Sequence, residues 1–298
     1  MPPDIVEGTL RVNIRPGARI LSTLRHLNYR PWFALAEFVD NALQSFLANK
    51  AQINAVARSE QSRVTVSIDV ESTPPARIAI RDDAAGIALA DFARAFRPAE
   101  IPPDASGLAE YGMGMKSAAC WFAPRWHVRT SALGESFERL VRFDIAHIVQ
   151  DNIEEVGVQA VHAAPGAHFT EIVLDEPYSP LIGRTLGKVK EHLADIYRCY
   201  LRDGSLLLKV NGQPLTYEEP EILNAPFYRE PRSASVLWKK DIRFDLGGGQ
   251  KVHGFAALRQ EGKTARAGFA LFRRNRLIEV IAARVSQTTL SQNQTGTF

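Results

Sequence analysis

Apolar residues recur at three- and four-residue steps early in the chain. Leu35, Phe38, Val39, Ala42, Leu43 and Phe46 share one face, which predicts an amphipathic helix from Ala18 to about Asn49, with Pro31 in a first turn where its missing amide is harmless. The period then changes. Val64, Val66, Ile68 and Val70 alternate with polar residues, so Arg63–Val70 reads as a half-buried strand. Pro74-Pro75 makes a turn, and Arg77–Arg81 reads as the hairpin partner. Thr9–Ile14 alternates briefly and reads as an edge strand.

Residues 97–114 break the pattern. They hold Pro98, Pro102, Pro103, Gly107, Gly112 and Gly114 without an apolar period, the mark of a long loop. Lys116–Phe122 reads as a helix, and Trp126–Thr130, Phe137–Ile145 and His168–Leu174 as strands. A helix followed by a strand meander predicts an α+β sandwich, with helices on one face of a largely antiparallel sheet. A second region starts near Pro177–Pro180, so the expected domains are 1–176 and 177–298. It offers a helix at Leu186–Leu201, a strand at Ser205–Val210 ending in Asn211-Gly212, and strands at Val236–Leu246, Val252–Leu258 and Ala267–Phe272. Residues 286–298 show no packing pattern, which reads as a cut or frayed end.

Composition narrows the class without naming a task. A chain of 298 residues, 45% hydrophobic and 23% charged, can bury a proper core and is not a disordered tail. Charged residues interrupt every apolar run before membrane-spanning length, and MPPDIVEGTL lacks the features of a signal peptide. Cys120 and Cys199 form neither a metal-ligand spacing nor a disulfide framework, which fits a cytoplasmic location and positions in or near the core. None of the seven histidines has metal-ligand company, and a net charge of +3 is too small to argue nucleic-acid binding alone.

Three polar segments carry candidate chemistry. In Ala34–Ser45, Glu37 and Asn41 lie four apart on a helix and share a face, with Asp40 beside them. The amide oxygen suits Mg²⁺ and the carboxylate can activate water; the plainer reading is a solvated helix face. Asp82 follows directly on the strand Arg77–Arg81, with small residues after it up to Gly86-Ile87. A carboxylate there can accept a hydrogen bond from an exocyclic amine; the plainer reading is an acidic turn. Finally, Gly112-Met113-Gly114-Met115-Lys116 opens a helix, where free amides and the helix dipole make a phosphate cradle. The glycine spacing is neither the dinucleotide fingerprint nor a Walker loop.

In order and spacing, Glu37-x-x-x-Asn41, Asp82-x-x-x-Gly86 and Gly112-x-Gly114-x-Lys116 resemble the GHKL ATPases: gyrase, the ninety-kilodalton heat-shock chaperones, histidine kinases and MutL. Gly166–Leu174 is similar to that superfamily's Gly-Thr strand, with Thr170 on the threonine, and Gly268–Ile278 resembles the microrchidia (MORC) branch. The resemblance implies a Bergerat-type α/β sandwich followed by a partial S5-like transducer. It implies Glu37 as general base, Asn41 as Mg²⁺ ligand and Asp82 as acceptor of the adenine amine. Gly86 would lie beneath the base, and residues 98–114 would form an ATP lid. Gly112, Met113, Gly114, Met115 and Lys116 would supply its phosphate-contacting end, and Thr170 would bond near Asp82 through water. ATP, Mg²⁺ and a nucleotide-dependent homodimer follow as expectations, with DNA or a defence or remodelling complex as client by analogy only.

The chain also departs from the pattern. Ala84 stands where a first glycine is usual, and Gln44-Ser45 follows the asparagine site. The family's γ-phosphate-sensing lysine follows a strand like Asn275–Ile278, whereas Lys251 and Lys263 precede it here, so slow turnover and weak dimerisation are expected of this chain. A regulatory module with little turnover, or a histidine-kinase-like phosphotransferase, stays as an alternative. Arg273, Arg274 and Arg276, with Lys263 and Arg266, form either a solvated sheet face or a phosphate-facing surface.

Overall fold

A computed structural model describes residues 17–57, 63–97, 112–164, 166–262 and 267–282. The expected strand Thr9–Ile14, the lid up to Tyr111, and Lys263 and Arg266 lie outside these residues. The first helical stretch is divided. A short helix α1 (Ile20–Thr23) and a 3-10 turn at Leu24–His26 precede extended backbone at Leu27, and α2 runs from Pro31 to Ala57. Residues ahead of a proline are biased out of helix, while the proline itself suits a helix start, so the break falls where the sequence places Pro31. Ala34, Leu35, Phe38, Val39, Ala42, Leu43 and Phe46 are all buried along α2, as their spacing predicts.

Eight strands form one sheet: β1 (Val64–Glu71), β2 (Arg77–Asp82), β3 (Arg125–Ser131), β4 (Phe137–Asp144), β5 (Val158–His162), β6 (Phe169–Asp175), β7 (Leu206–Val210) and β8 (Gln213–Pro214), in the order β5-β4-β3-β6-β2-β1-β7-β8. β1 and β2 pair antiparallel as the expected hairpin. Helices α3 (Phe92–Phe96), α4 (Gly114–Phe122), α5 (Ile145–Gln150) and α6 (Gly183–Ile196) join α2. Val66 and Ile68 of β1, Ile78 and Ile80 of β2, Trp126 and Val128 of β3, and Ile172 and Leu174 of β6 are buried on one face of the sheet. On the opposite face Arg129 bonds Glu171 at 2.8 Å and Glu138 at 3.2 Å, and Arg81 lies 3.5 Å from Glu171. Such exposed pairs contribute about 0–1 kcal/mol each, so the sheet depends on its apolar face.

The two compact units divide further along the chain than residue 176. One unit reaches Leu193 and takes back Asp203–Leu215; the other holds Ala194–Arg202 and the chain from Thr216. The reason is β7, which pairs parallel with β1 in the register Val64↔Leu206, Val66↔Leu208 and Ile68↔Val210. Leu206, Leu208 and Val210 continue the buried face beyond β1, so this strand belongs to the first unit and not to a following domain.

In the second unit, α7 (Arg198–Arg202) accompanies three two-stranded pairs: β9 (Asn224–Ala225) with β10 (Val236–Leu237), β11 (Lys239–Gly247) with β12 (Gln250–Ala257), and β13 (Gly268–Arg273) with β14 (Arg276–Ala282). The expected strand Val236–Leu246 is interrupted at Trp238, whose amide donates to the Leu223 carbonyl at 2.9 Å. The expected helix Leu186–Leu201 breaks at Tyr197 into α6 and α7. The β13–β14 turn holds Arg274 and Asn275 at φ 50 and 61, and the Tyr200 hydroxyl donates to the Arg274 carbonyl at 2.6 Å.

Leu208 is fully buried, so Leu208→Ala should destabilise the first unit by about 2–5 kcal/mol in denaturant unfolding. A loss under about 0.5 kcal/mol would mean that β7 is not part of this core.

Candidate functional site

Two groups of polar residues lie on the helix-bearing side of the large sheet. The first gathers at the end of β2. Asp82 stands opposite Val66 of β1 and Thr170 of β6, and Thr170 stands opposite Thr130 of β3. Burial pushes the Asp82 carboxyl up from an ordinary 3.8 to about 7; the Ala84 amide, bonding it at 3.0 Å, and a Thr170 backbone bond act the other way, while Asp83 adds to the rise. A carboxyl that is costly to ionise has most to gain from a donor arriving in its pocket.

The turn after Asp82 is tied down at almost every residue. The Asp83 carboxylate accepts from the Thr65 amide at 2.7 Å. His168 Nδ1 donates to the Ala84 carbonyl at 2.9 Å, and the Ala85 carbonyl accepts from the Leu133 amide at 2.8 Å. Thr130 Oγ1 accepts from the Ile87 amide at 2.9 Å and donates to the Phe169 carbonyl at 2.8 Å. Gly86 has φ 73, and a Cβ there would overlap the Ser131 carbonyl, so only glycine fits. Ala84 is fully buried and is not among the positive-φ residues, which explains why the extra methyl is tolerated there. Sequence reasoning missed Thr130, His168 and Asp83, because their partners are brought in by pairing between strands distant along the chain.

The second group joins α2 to α4. Gly112, at φ 61, turns the chain into α4, and Gly114 is its first residue. A Cβ on Gly114 would collide with Glu37 Oε2, so the half-buried Glu37 carboxylate lies directly against the start of α4. The Ser117 hydroxyl donates to the Gly114 carbonyl at 3.0 Å and lies 3.2 Å from the Tyr29 hydroxyl. Burial raises the Tyr29 pKa, the Ser117 bond counters it, and the nearby Glu37 charge adds to the rise. Asn41 is half-buried one turn beyond Glu37, whereas Asp40 is buried, at 6% exposure. Met115 points inward and is buried, and Met113 is half-buried with its carbonyl accepting from the Ser117 amide at 2.9 Å.

Lys116 differs from expectation. It is not presented in front of the helix: its ammonium is buried and donates to the Ala95 and Arg94 carbonyls at 2.9 and 3.3 Å. A cation in the first turn of its own helix sits at the unfavourable end of the dipole, and the carbonyl end of α3 offers the opposite. Lys251 is exposed on β12 opposite Asp245 in the second unit.

Residues 29–173 match the family described as Histidine kinase-, DNA gyrase B-, and HSP90-like ATPase. No curated protein matches the chain. The matched segment runs from Tyr29 through Glu37, Asn41, Asp82, Gly86 and α4 to Thr170 on β6, and the large mixed sheet to which it contributes β1 to β6, with helices on one face, is consistent with the α/β sandwich of a GHKL ATPase domain. Such a domain implies ATP binding. No helix among the described residues is long and apolar enough to cross a membrane, and none of their His, Cys, Asp or Glu side chains cluster in threes to hold a metal.

The Asp82 carboxyl titrates near 7 folded against 3.8 ordinarily, so folding takes up a proton between those values and stability should fall as pH rises from about 4 to 7. Asp82→Asn should flatten that part of the profile in denaturant unfolding at stepped pH. An unchanged slope would place the titrating group elsewhere.

Proposed function

We propose that the first unit binds Mg²⁺·ATP and hydrolyses it, with the nucleotide laid from the end of β2 to the start of α4. The observation that carries this reading is the Glu37 carboxylate resting against Gly114, which puts a candidate base beside the helix start that would receive the terminal phosphate. At the other end, the Asp82 carboxylate accepts from the adenine amine, and Gly86 keeps the floor of that pocket free of a side chain. Thr170, paired with Asp82 across the strands, holds the water beside it. Selectivity for adenine then comes from leaving a desolvated carboxyl unsatisfied by other bases.

Glu37 orients the attacking water and takes its proton, while the amides of Gly112–Met115 hold the phosphates in place. The Asn41 amide oxygen fits Mg²⁺ as a single protein ligand, since that ion is commonly held by one or two side chains together with substrate phosphates. When bound, Mg²⁺ neutralises phosphate charge.

We read the second unit as a transducer-like module of microrchidia type. The support is the β13–β14 hairpin, which gathers Gly268, Phe269, Phe272 and the Asn275–Ile278 run on adjacent strands. On this reading, ATP closes residues 98–114 over the site and pairs two protomers in the cytoplasm on a DNA or defence-complex client.

Glu37→Ala should leave ATP affinity within a few-fold and slow hydrolysis by about 10²–10⁴-fold. Asn41→Ala should instead weaken binding only when Mg²⁺ is present. Calorimetry and phosphate release check both. Unchanged turnover in Glu37→Ala would pass the base role to Asp40 or another group, and a wild-type chain that binds without turnover would be a nucleotide-sensing module.

A further inference from the structure

We infer that Lys116 is a positioning residue, a clasp between α3 and α4 that fixes the start of α4 against Glu37 rather than a ligand of the phosphates. The inference rests on reading that helix start as the phosphate cradle. Lys116 is only 3% exposed, so its charge must be compensated inside the protein. Its ammonium bonds the Arg94 and Ala95 carbonyls in the last turn of α3, groups that a helix end leaves short of donors. One ammonium thus satisfies two carbonyls and joins two helices.

The other end of the clasp is firm. Phe96 of α3 lies against Phe143 of β4, with ring centroids 5.6 Å apart, and against Phe92 at 5.1 Å. The Arg139 guanidinium of β4 sits 5.7 Å from the Phe92 ring and pairs with Glu135, whose carboxylate accepts from the Leu89 amide just ahead of α3. α3 is therefore fixed to the sheet, and Lys116 transmits that fixation to α4. On its other side α4 is held by Glu37 at Gly114 and by the Tyr29–Ser117 contact. With the clasp removed, the first turn of α4 loses its tie to α3, and Glu37 loses a defined partner surface.

The test uses the full chain with Lys116→Met. Without nucleotide, hydrogen exchange at the Ser117 amide, which opens α4 on the Met113 carbonyl, should quicken by about tenfold or more. ATP affinity should fall by about tenfold or more, because binding must then order the first turn of α4, while adenosine affinity should change by less than about threefold. Lys116→Arg should recover part of both losses. Should Lys116→Met not fold, Lys116→Gln, which keeps a donor without the charge, takes the same measurements. Weaker ATP binding with unchanged exchange in the nucleotide-free chain would make the ammonium a direct phosphate ligand and overturn the clasp. Faster exchange with unchanged ATP affinity would reduce Lys116 to a stabilising contact and overturn the positioning role. A wild-type chain that fails to bind ATP would sink the reading of the site, and the exchange measurement would still decide the clasp.

Discussion

A carboxylate against a bare Cα is the contact on which the candidate site depends. Glu37 projects from the N-terminal third of a long helix, and Gly114 starts another; no side chain fits between them. That single steric condition aligns α2 with α4 and places an acceptor of protons beside the N-terminal amides of α4. α2 is rigid because its other face is core: Leu35, Phe38, Val39, Ala42 and Phe46 are nearly or wholly inaccessible. A residue carried on such a helix is placed more finely than one on a loop, and hydrolysis by an activated water tolerates little error in position.

The β2 end of the site is built on a different principle. There the strands themselves hold the turn, through Thr65, Thr130, Leu133 and His168, and the packing of Gly86 on the Ser131 carbonyl leaves no room for adjustment. The cost of this enclosure falls on Asp82, whose carboxyl is pushed up to about 7 by burial. An acid held near neutrality at the closed end of a turn is a common sign of a binding site, since an arriving donor relieves the desolvation that the fold imposes.

Much of this was legible in one dimension, and what was not had a physical reason. Helix and strand periods located α2, β1 and β2, and the glycine spacing located α4, because each signal is local. The parallel pairing of β7 with β1 was not visible: Leu206–Val210 follows a helical stretch beyond the expected boundary and reads as part of a second region, yet its alternate residues complete the buried face of β1. The short helices α3 and α5 hold only five and six residues, too few for a period to show. Within the site, Glu37, Asp82, Gly86 and Gly114 announced themselves by motif. Thr130 and His168 act through hydrogen bonds to backbone groups some forty and eighty-four positions away, and Lys116 acts through carbonyls, which carry no sequence identity.

The most direct measurement is a crystal structure of the chain with Mg²⁺ and a non-hydrolysable ATP analogue. The adenine amine should lie within hydrogen-bond reach of the Asp82 carboxylate, the terminal phosphate at the Gly114 end of α4 beside Glu37, and the metal on the Asn41 amide oxygen. A nucleotide bound with its phosphates away from α4, or with its base away from Asp82, would contradict the assignment of these two groups of residues to one site.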